Sequence, residues 1–396
     1  MKSMLKIFGD HDENTVKQMW NCLGVGNVAG GVLCADGHLG YAQPVGGVVA
    51  YRNQVSVSGV GFDIACGNMA VKTNRTYDQV SPRLDEVSRK IAKKVDFGVG
   101  GKYARSRTDV LDTSLFDDAE AWRTADVEDL KDLAWAQLGT VGSGNHYVDL
   151  FEDRSDGSVW VGVHFGSRGL GHKTATKYLR AAGGTDGMMV APALLDVGSE
   201  LGQRYLAAMH LAGRYAYAGR EWVVDQVCRI LGASTVDVVH NHHNFAWEEK
   251  HGDENFWVVR KGATPAFPGQ RGFVGGSMGD DAVILSGVDS EESRAALFST
   301  VHGAGRICGR TEAKGKMDKR TGEWKRPPRF TREQMDSWLA ERGVTLVGGD
   351  VDESPMAYRR LDEVLSQHSG TVKVESVLRP FFVMMAGNEV RDPYKD

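Results

Sequence analysis

The sequence lacks the features that would place the chain in a membrane or outside the cell. None of its apolar runs reaches about 18 residues, so no membrane-spanning helix is expected. Charged residues occupy the N-terminal positions where a secretion signal has its apolar core. The five cysteines form no C-x-x-C pair, and scattered cysteines in an odd number are typical of a reducing compartment. We therefore expect a cytoplasmic protein.

Some common catalytic and nucleic-acid-binding signatures are missing as well. The P-loop pattern G-x-x-x-x-G-K-[ST] is absent, which excludes an ordinary P-loop ATPase, and no H-E-x-x-H metal motif occurs. The nearest match to the K-x-D-G signature of common nucleic-acid ligases is "CADG", with Cys34 in place of the lysine. A formal net charge of −5 argues against binding nucleic acid over the whole surface, so such binding needs a local basic patch.

Glycine, by contrast, is abundant. Of the 396 residues, 49 are glycine, well above the roughly 7% of average proteins. Glycine turns let a backbone approach a ligand closely and expose N–H groups to anions. The glycines cluster beside His, Cys, Asp or Arg residues in the segments 24–31, 59–67, 139–144, 162–171, 272–279 and 303–309. Ligand-binding loops are therefore expected in these segments.

The apolar pattern predicts a mixture of helices and short strands. Residues 194–232 have helical spacing, Thr331 and Gln334 form a capping box, and Ser354 precedes Pro355 as a helix start. Apolar and β-branched runs predict strands at 45–51, 68–71, 147–151, 159–164, 236–239, 256–260, 282–285 and 371–377. Because helices and strands do not alternate regularly, we expect one large α+β (mixed α/β) domain rather than a doubly wound sheet.

A carboxylate, a thiol and several imidazoles form a candidate metal site. Asp63 and Cys66 lie in "GVGFDIACG", a segment of small and apolar residues where a charge is unfavourable unless it is paired or bound to a metal. Four histidines lie in or beside glycine-rich or polar turns: His146, His164, His243 and His302. Such a set binds a borderline divalent ion such as Zn, Mn, Fe or Co. The alternative is that each histidine is held separately by hydrogen bonds in the core.

Two further features suit phosphate and nucleic acid. The turns "HFGSRGLGH" and "HGAGR" place Arg168 and Arg306 among backbone amides, an arrangement typical of anion binding. Trp324 and Phe330 accompany a basic segment whose cations are Lys314, Lys316, Lys319, Arg320, Lys325, Arg326 and Arg329. Basic charge with aromatic side chains suits RNA or single strands, and the alternative is a solvated surface hairpin around "DKRTGE".

These segments together resemble the RtcB family of RNA ligases. The matching runs are "ADGHLGYAQPVGGVVA" (35–50), "GVGFDIACG" (59–67), "LGTVGSGNHYVDL" (138–150), "VHFGSRGLGH" (163–172), "NHHNFAWEE" (241–249), "RKGATPAFPG" (260–269), "GGSMG" (275–279), "HGAGR" (302–306) and "DESPMAYRRLDEV" (352–364). The resemblance spans roughly residues 24–385. It implies a single RtcB-like ligase domain over 1–396, with 388–396 as a C-terminal tail.

The resemblance also implies an activity. Family members use two Mn²⁺ ions and GTP to join an RNA 3′-phosphate, or 2′,3′-cyclic phosphate, to a 5′-hydroxyl, in RNA repair or tRNA splicing. By motif position, one ion would be held by Asp63, Cys66 and His146, and the other by Cys66, His164 and His243. Cys66 would thus bridge the two ions as a thiolate.

The nucleophile implied by the resemblance is His302, which would attack the α-phosphate of GTP to give a guanylyl-histidine. The residues expected to contact the nucleotide are Asn145, His146, Asp149, His243, Asn244, Gly276, Ser277, Met278, His302, Gly303, Ala304, Gly305 and Tyr358. The residues expected to contact RNA are Arg168, Arg306, Lys325 and Arg326. The sequence identifies no accessory activator.

Three departures from the family pattern concern the expected base pocket. Asp149 stands where the family usually has glutamate, and Ala282 stands where it often has serine. Ala386 precedes Gly387 where the family typically ends in Lys-Gly. The metal ligands and the nucleophile match, so the covalent chemistry is expected to be kept, while the choice between GTP and ATP stays open. The alternatives are a nucleotidyltransferase that caps 3′-phosphate ends or uses ATP without sealing, and a non-catalytic protein that binds RNA or metal.

Overall fold

The structure is a computed structural model that describes residues 4–100, 114–318, 320–390 and 392–393. Its strands are β1 (Leu5–Ile7), β2 (Val28–His38), β3 (Val45–Tyr51), β4 (Gln54–Ser56), β5 (Gly67–Thr76), β6 (Tyr147–Asp153), β7 (Ser158–Phe165), β8 (Leu194–Asp196), β9 (Thr235–His242), β10 (Asn244–His251), β11 (Glu254–Lys261), β12 (Ala263–Pro265), β13 (Arg271–Val274), β14 (Ala282–Gly287), β15 (Ser299–Val301), β16 (Lys316–Met317), β17 (Trp324–Arg326), β18 (Thr345–Val347) and β19 (Val372–Met385). The predicted strands all lie within or overlap these elements.

The helices lie between and around the strands. They are α1 (Glu13–Leu23), α2 (Val57–Val60), α3 (Tyr77–Val80), α4 (Leu84–Lys94), α5 (Ser114–Asp117), α6 (Ala119–Thr124), α7 (Lys131–Gln137), α8 (Arg168–Ala181), α9 (Glu200–Leu231), α10 (Glu291–Ala295), α11 (Arg310–Lys314), α12 (Arg332–Glu341) and α13 (Leu361–Ser366). Within the described residues, none of these helices combines the length and apolarity that a membrane crossing requires. The expected mixed α/β class is confirmed.

Two sheets organise the molecule. The larger one has the order β13-β14-β19-β6-β7-β5-β9, and β18 pairs in parallel with β19. The smaller one has the order β1-β2-β3-β11-β10. Within the larger sheet, three neighbouring pairs are antiparallel: β6 with β7, β7 with β5, and β5 with β9. The ends of β5, β6, β7 and β9 that meet at one edge of this sheet carry the candidate metal ligands.

The long helix α9 packs against the larger sheet and corrects one sequence prediction. Its N-cap is Ser199, whose side chain accepts a hydrogen bond from Gly202 N, and it ends at Gly232 in the left-handed conformation. The predicted helix over 194–232 was therefore too long at its start. Residues Leu194–Asp196 instead pair with Gln54–Ser56 as β8 against β4, because that strand had an open edge to complete.

The C-terminal helices show one confirmed prediction and one correction. Thr331 and Gln334 form the predicted capping box of α12. The predicted helix after Ser354 is divided into a short 3-10 turn at Pro355–Ala357 and the later α13. The division occurs because Tyr358 is extended and pairs with Arg306 in a β-bridge, which interrupts the helical hydrogen bonds.

Glycine at position 67 lets three strands approach closely beside the candidate site. Gly67 is paired with Phe165 of β7 on one side and with His242 of β9 on the other. A Cβ atom at this position would lie 2.1 Å from the backbone oxygen of Asn241 and 2.8 Å from the Cα of His242. Both contacts are with backbone atoms, so relief would require moving β9 away from β5.

We expect Gly67→Ala to lower the free energy of unfolding by about 1–3 kcal/mol, since the added methyl group overpacks a rigid strand pair. Chemical denaturation followed by circular dichroism measures the change. Gly30→Ala in β2 is the matched control, because its Cβ would meet only Met4 O at 3.8 Å. An unchanged stability for Gly67→Ala would show that β9 moves without penalty.

Candidate metal centre and nucleotide cavity

The predicted metal ligands converge at the ends of neighbouring strands. Cys66 immediately precedes β5, His146 immediately precedes β6, and His164 is the penultimate residue of β7. His243 links β9 to β10, and Asp63 lies in the turn that leads into Cys66. Antiparallel pairing brings these ends together, since His164 is directly opposite both Tyr147 and Asn68. All five side chains are buried.

The ligands form two groups that share one sulfur atom. One group is Cys66, His164 and His243, the other is Asp63, Cys66 and His146, and within each group the potential ligand atoms lie within 4.8 Å of one another. Cys66 Sγ lies 3.3 Å from His164 Nε2 and 3.7 Å from His146 Nε2. His146 Nε2 lies 3.2 Å from Asp63 Oδ2. Cys66 is therefore the residue common to both groups, and its role as a bridge between two ions stays a prediction of the family resemblance.

The donor set fits a cation. His146 and His164 each direct Nδ1 at a backbone carbonyl, of Val141 at 2.9 Å and of Asn145 at 3.0 Å. A carbonyl only accepts, so each Nδ1 is the donor in its contact, and the other ring nitrogen, Nε2, is directed toward the candidate site. The two Nε2 atoms face the Asp63 carboxylate and the Cys66 sulfur. Electron-rich atoms at such distances repel one another unless a proton or a metal ion lies between them.

Burial favours the metal-binding form of two of the histidines. Desolvation lowers the pKa of His164 to about 3 and the pKa of His243 well below its usual value. Both rings are therefore neutral at pH 7. Burial alone would raise the pKa of Asp63, but the hydrogen bond and charge of His146 bring it below the usual value. The carboxylate is thus ionised and available as a ligand.

His302 lies beside this group and is held by a carboxylate that sequence analysis did not single out. Its ring centroid lies 4.8 Å from that of His243. Asp36 Oδ2, in β2, accepts hydrogen bonds from His302 Nδ1 at 2.6 Å, His302 N at 3.0 Å and Gly303 N at 3.3 Å. Burial would raise the pKa of Asp36, but the charge and hydrogen bonds of His302 lower it. Asp36 lies within "ADGH", the start of a run that matches the family pattern, and this match was the sequence signal that could have identified it.

One cavity of about 780 Å³ connects these groups with the predicted nucleotide residues. Of the side chains and turns expected to contact the nucleotide, all except His146 line it: Asn145, Asp149, His243, Asn244, Gly276, Ser277, Met278, His302, Gly303, Ala304, Gly305 and Tyr358. The cavity size is ordinary for a small-molecule or cofactor site. The glycine turns at 275–278 and 302–305 therefore face the same space as the candidate metal ligands.

Comparison with known proteins identifies the family of the chain. The profile of the family described as "tRNA-splicing ligase RtcB" matches residues 18–386.

The chain belongs to the RtcB family.

Similar members include the "tRNA-splicing ligase RtcB" of Thermococcus kodakarensis, 30% identical over 432 aligned residues that cover 89% of this chain and 86% of the relative. The "RNA-splicing ligase RtcB" of Escherichia coli is 30% identical over 371 residues, covering 87% of each chain. The "RNA-splicing ligase RtcB" of Mycobacterium bovis is 31% identical over 423 residues, covering 87% of this chain and 94% of the relative. The predicted family resemblance is confirmed.

One of the three departures from the RtcB pattern lines the cavity. Asp149 lines the cavity, and burial raises the pKa of its carboxyl well above the usual value. Met385 at the end of β19 also lines it, directly before Ala386. Ala282 does not line the cavity but is buried in the sheet core with Phe151. The prediction that Ala282 alters the base pocket is therefore not supported by its position.

Asn244 and Tyr358 contact protein groups at the edge of the cavity. Asn244 Nδ2 donates to Asp63 O at 3.2 Å, and its Oδ1 accepts from Gly262 N at 2.7 Å. The Tyr358 hydroxyl donates to Glu353 and accepts from Arg306 Nη1 at 2.8 Å. Asn244 thus links the turn that contains Asp63 to the connection between β11 and β12, and the partly buried Arg306 pairs with the Glu353 carboxylate.

Arg168, predicted to contact RNA, is turned into the protein. Its side chain is buried, its backbone has a positive φ of 54°, and its Nη1 lies 3.3 Å from His146 Nδ1. Its Nη2 donates to the carboxylate of Asp392 in the C-terminal tail at 2.7 Å, and Ser143 donates to the same oxygen at 3.2 Å. In this conformation Arg168 contacts protein groups beside a metal ligand. Residues 391 and 394–396 of the predicted tail lie outside the described residues.

The basic segment forms a surface hairpin, as one of its two interpretations predicted. Strands β16 and β17 pair through Lys316 with Arg326 and Met317 with Trp324. Both Lys325 and Arg326 are exposed. Lys325 pairs with Asp318 at 2.9 Å. Lys319 lies outside the described residues.

Substitutions of Cys66 and Asp63 distinguish the ligand that both groups share from a ligand of one group alone. We expect the wild-type protein to bind two equivalents of Mn²⁺ and Cys66→Ala to lose both, whereas Asp63→Asn loses mainly the ion held with His146. Isothermal titration calorimetry with MnCl₂ measures each stoichiometry. Cys228→Ala is the matched control, because it removes a buried thiol of α9 outside the cavity lining. Two equivalents bound by Cys66→Ala would contradict the shared position.

Proposed function

We propose that the protein is a GTP- and Mn²⁺-dependent RNA ligase that joins a 3′-phosphate or 2′,3′-cyclic phosphate end to a 5′-hydroxyl end, in RNA repair or tRNA splicing. The observation that carries the proposal is the placement of His302, fixed by Asp36, in one cavity with two candidate metal-ligand groups that share Cys66. The names of the relatives, tRNA-splicing and RNA-splicing ligases, support it.

His302 supplies the covalent step. With Nδ1–H donated to Asp36, the lone pair of Nε2 attacks the α-phosphorus of GTP, the bond to the β-phosphate oxygen breaks, and pyrophosphate leaves. The ring becomes positively charged in the guanylyl-histidine, and the buried Asp36 carboxylate stabilises that charge. Because Asp36 also accepts from two backbone N–H groups, its own position is fixed before the reaction.

The guanylyl group then moves to RNA. An oxygen of the RNA 3′-phosphate attacks the guanylyl phosphorus, and the bond to His302 breaks. The 5′-hydroxyl next attacks the activated 3′-phosphate, and GMP leaves; a cyclic end is first opened by water. Bound Mn²⁺ would neutralise phosphate oxygens and polarise phosphorus toward attack, with Asp63, Cys66, His146, His164 and His243 as its ligands. The amides of turns 275–278 and 302–305 offer donors for the phosphates.

The mouth of the cavity offers stacking surfaces for RNA. Phe62 lines the cavity, its ring centroid lies 5.1 Å from that of His172 with nearly parallel planes, and it meets Tyr41 edge-on at 6.1 Å. Tyr41 also lines the cavity and is 48% exposed. Unpaired bases stack on such aromatic faces in most single-strand RNA sites.

A second candidate follows from the base side of the cavity. Asp149 and the Met385–Ala386 end replace residues that the family resemblance associates with guanine. A nucleotidyltransferase that uses ATP, or that caps 3′-phosphate ends without sealing, fits the same His302 chemistry. Gel analysis of the RNA separates the two, because a capped end is not a longer strand.

Covalent labelling tests the first step. We expect the protein with Mn²⁺ and α-labelled GTP to retain label, His302→Ala to retain none, and Asp36→Asn to label about 10²- to 10⁴-fold more slowly, because the ring loses its orienting carboxylate. Denaturing gels of timed samples measure the label, and Asp10→Asn, an exposed aspartate near the N-terminus, is the control. Label from ATP alone would favour the second candidate, and label in His302→Ala would contradict the assigned nucleophile.

Neutralising the surface hairpin tests RNA binding separately from the covalent step. We expect replacement of Lys325, Arg326 and Arg329 by glutamine to weaken RNA binding and flatten its salt dependence, since fewer counterions are released. Self-labelling should not change. Fluorescence anisotropy with a labelled single-stranded RNA at several salt concentrations gives both quantities. Unchanged affinity would leave the hairpin as a solvated surface feature.

A further inference from the structure

A fully buried arginine lies at the base of the candidate metal centre. Arg220, in the middle of α9, has no exposed surface. A guanidinium removed from water is unfavourable unless its N–H groups are satisfied and its charge is compensated. The partners that hold Arg220 are therefore informative about its role.

All the partners of Arg220 lie one or a few residues from metal ligands. Nη1 donates to the backbone oxygens of Phe165 at 2.6 Å and Ala65 at 3.0 Å. Nη2 contacts His242 Nδ1 at 3.3 Å, and Nε donates to His240 Nε2 at 2.9 Å. Phe165 follows His164, Ala65 precedes Cys66, and His242 precedes His243. One side chain thus contacts the sequence neighbours of three candidate ligands, which lie at or next to the ends of β5, β7 and β9.

The hydrogen bonds of Arg220 act where the sheet pairing gives way to the site. The ladders of β5 with β7 and of β5 with β9 both end at Gly67. Beyond that point two backbone bonds continue, from His243 N to Cys66 O at 2.9 Å and from Ala65 N to Asn244 O at 2.7 Å, while the carbonyl of Ala65 accepts from Arg220. A planar guanidinium with several donors in fixed directions can hold such carbonyls at a set spacing.

The guanidinium is itself held in place from one side. It lies over the ring of Tyr217, one turn earlier in α9, with 5.0 Å between its central carbon and the ring centroid. Tyr217 also stacks on His240, with centroids 3.6 Å apart and planes at 22°. The helix therefore presents a preassembled unit, Tyr217 with Arg220, to the strand ends.

We propose that Arg220 is a positioning residue that sets the spacing of Cys66, His164 and His243 by bridging the backbone and side-chain neighbours of all three. The inference rests on the proposed function only in that these residues bind a metal ion. The other ligand group is positioned by different contacts: His146 is held by Val141 O, and Asp63 accepts from Ser167 N at 3.1 Å. Loss of Arg220 should therefore affect the two ions unequally.

The test is Arg220→Lys, in which a single ammonium replaces the fork and can reach only some of its acceptors. We expect the affinity for one Mn²⁺ equivalent to fall by about 10- to 100-fold, the usual effect of losing an outer contact to metal ligands, with a smaller change at the other equivalent. Calorimetric titration with MnCl₂ and electron paramagnetic resonance of free Mn²⁺ both measure this without RNA or nucleotide.

The matched control is Arg260→Lys. Arg260 is equally buried, but it pairs with Glu249 at 2.6 Å and bonds to Ser299 at 2.9 Å, away from the ligand-bearing strand ends. This control shows how much Mn²⁺ affinity changes when a buried guanidinium is lost elsewhere in the protein. A fall in Mn²⁺ affinity no greater in Arg220→Lys than in Arg260→Lys overturns the proposal.

If Arg220→Lys does not fold, a second variant, His240→Leu, tests the proposed positioning role. His240→Leu removes one acceptor of the fork and leaves the arginine and all five ligands in place, so we expect a several-fold loss at the same Mn²⁺ equivalent. Unchanged titration curves for His240→Leu in that case overturn the proposal. Absence of Mn²⁺ binding by the wild-type protein would instead contradict the metal centre itself, so the two failures are distinguishable.

Discussion

The fold depends on holding electron-rich side chains against one another in a space from which water is excluded. A sulfur atom, a carboxylate and three imidazoles occupy one buried volume, and each would be more stable alone in solvent. Antiparallel pairing of β5 with β7 and β9, and of β6 with β7, brings these side chains together, because most of them lie at or next to strand ends. The absence of a side chain at Gly67 allows the closest of these approaches. The fold thus keeps five potential metal ligands together.

The sequence was sufficient for much of this arrangement. Apolar runs located the strands of the larger sheet, and the ligands were expected at strand ends because each histidine followed or preceded such a run. The family motifs then implied which side chains belong to each ligand group. Asp36 was missed because its role depends on His302, 266 positions later in the chain, and no local pattern links the two. In the sequence, Arg220 looks like any other charged residue of a long helix. Its contacts with residues at the ends of neighbouring strands are visible only in the structure.

Three positions lie elsewhere than their sequence context suggests, and the physical reason is the same in each case. Arg168 lies in a glycine-rich turn that looks exposed, yet a left-handed backbone conformation turns its side chain into the core. Ala282 lies close in sequence to the cavity turn at 275–278 but belongs to a central strand, so its side chain packs in the sheet. Residues 194–196 have helical spacing, but they form a strand because they pair with β4. In each case tertiary contacts decided where the side chain points.

The family match ends at residue 386, before the acid that pairs with Arg168. Asp392 therefore brings a negative charge to this guanidinium from within the same chain. An anion that approaches Arg168 must displace a tethered competitor, whose effective concentration is on the order of millimolar and does not fall on dilution of the protein. The charge that Arg168 presents to other groups consequently depends on a residue beyond the family match and not only on the motif that contains the arginine.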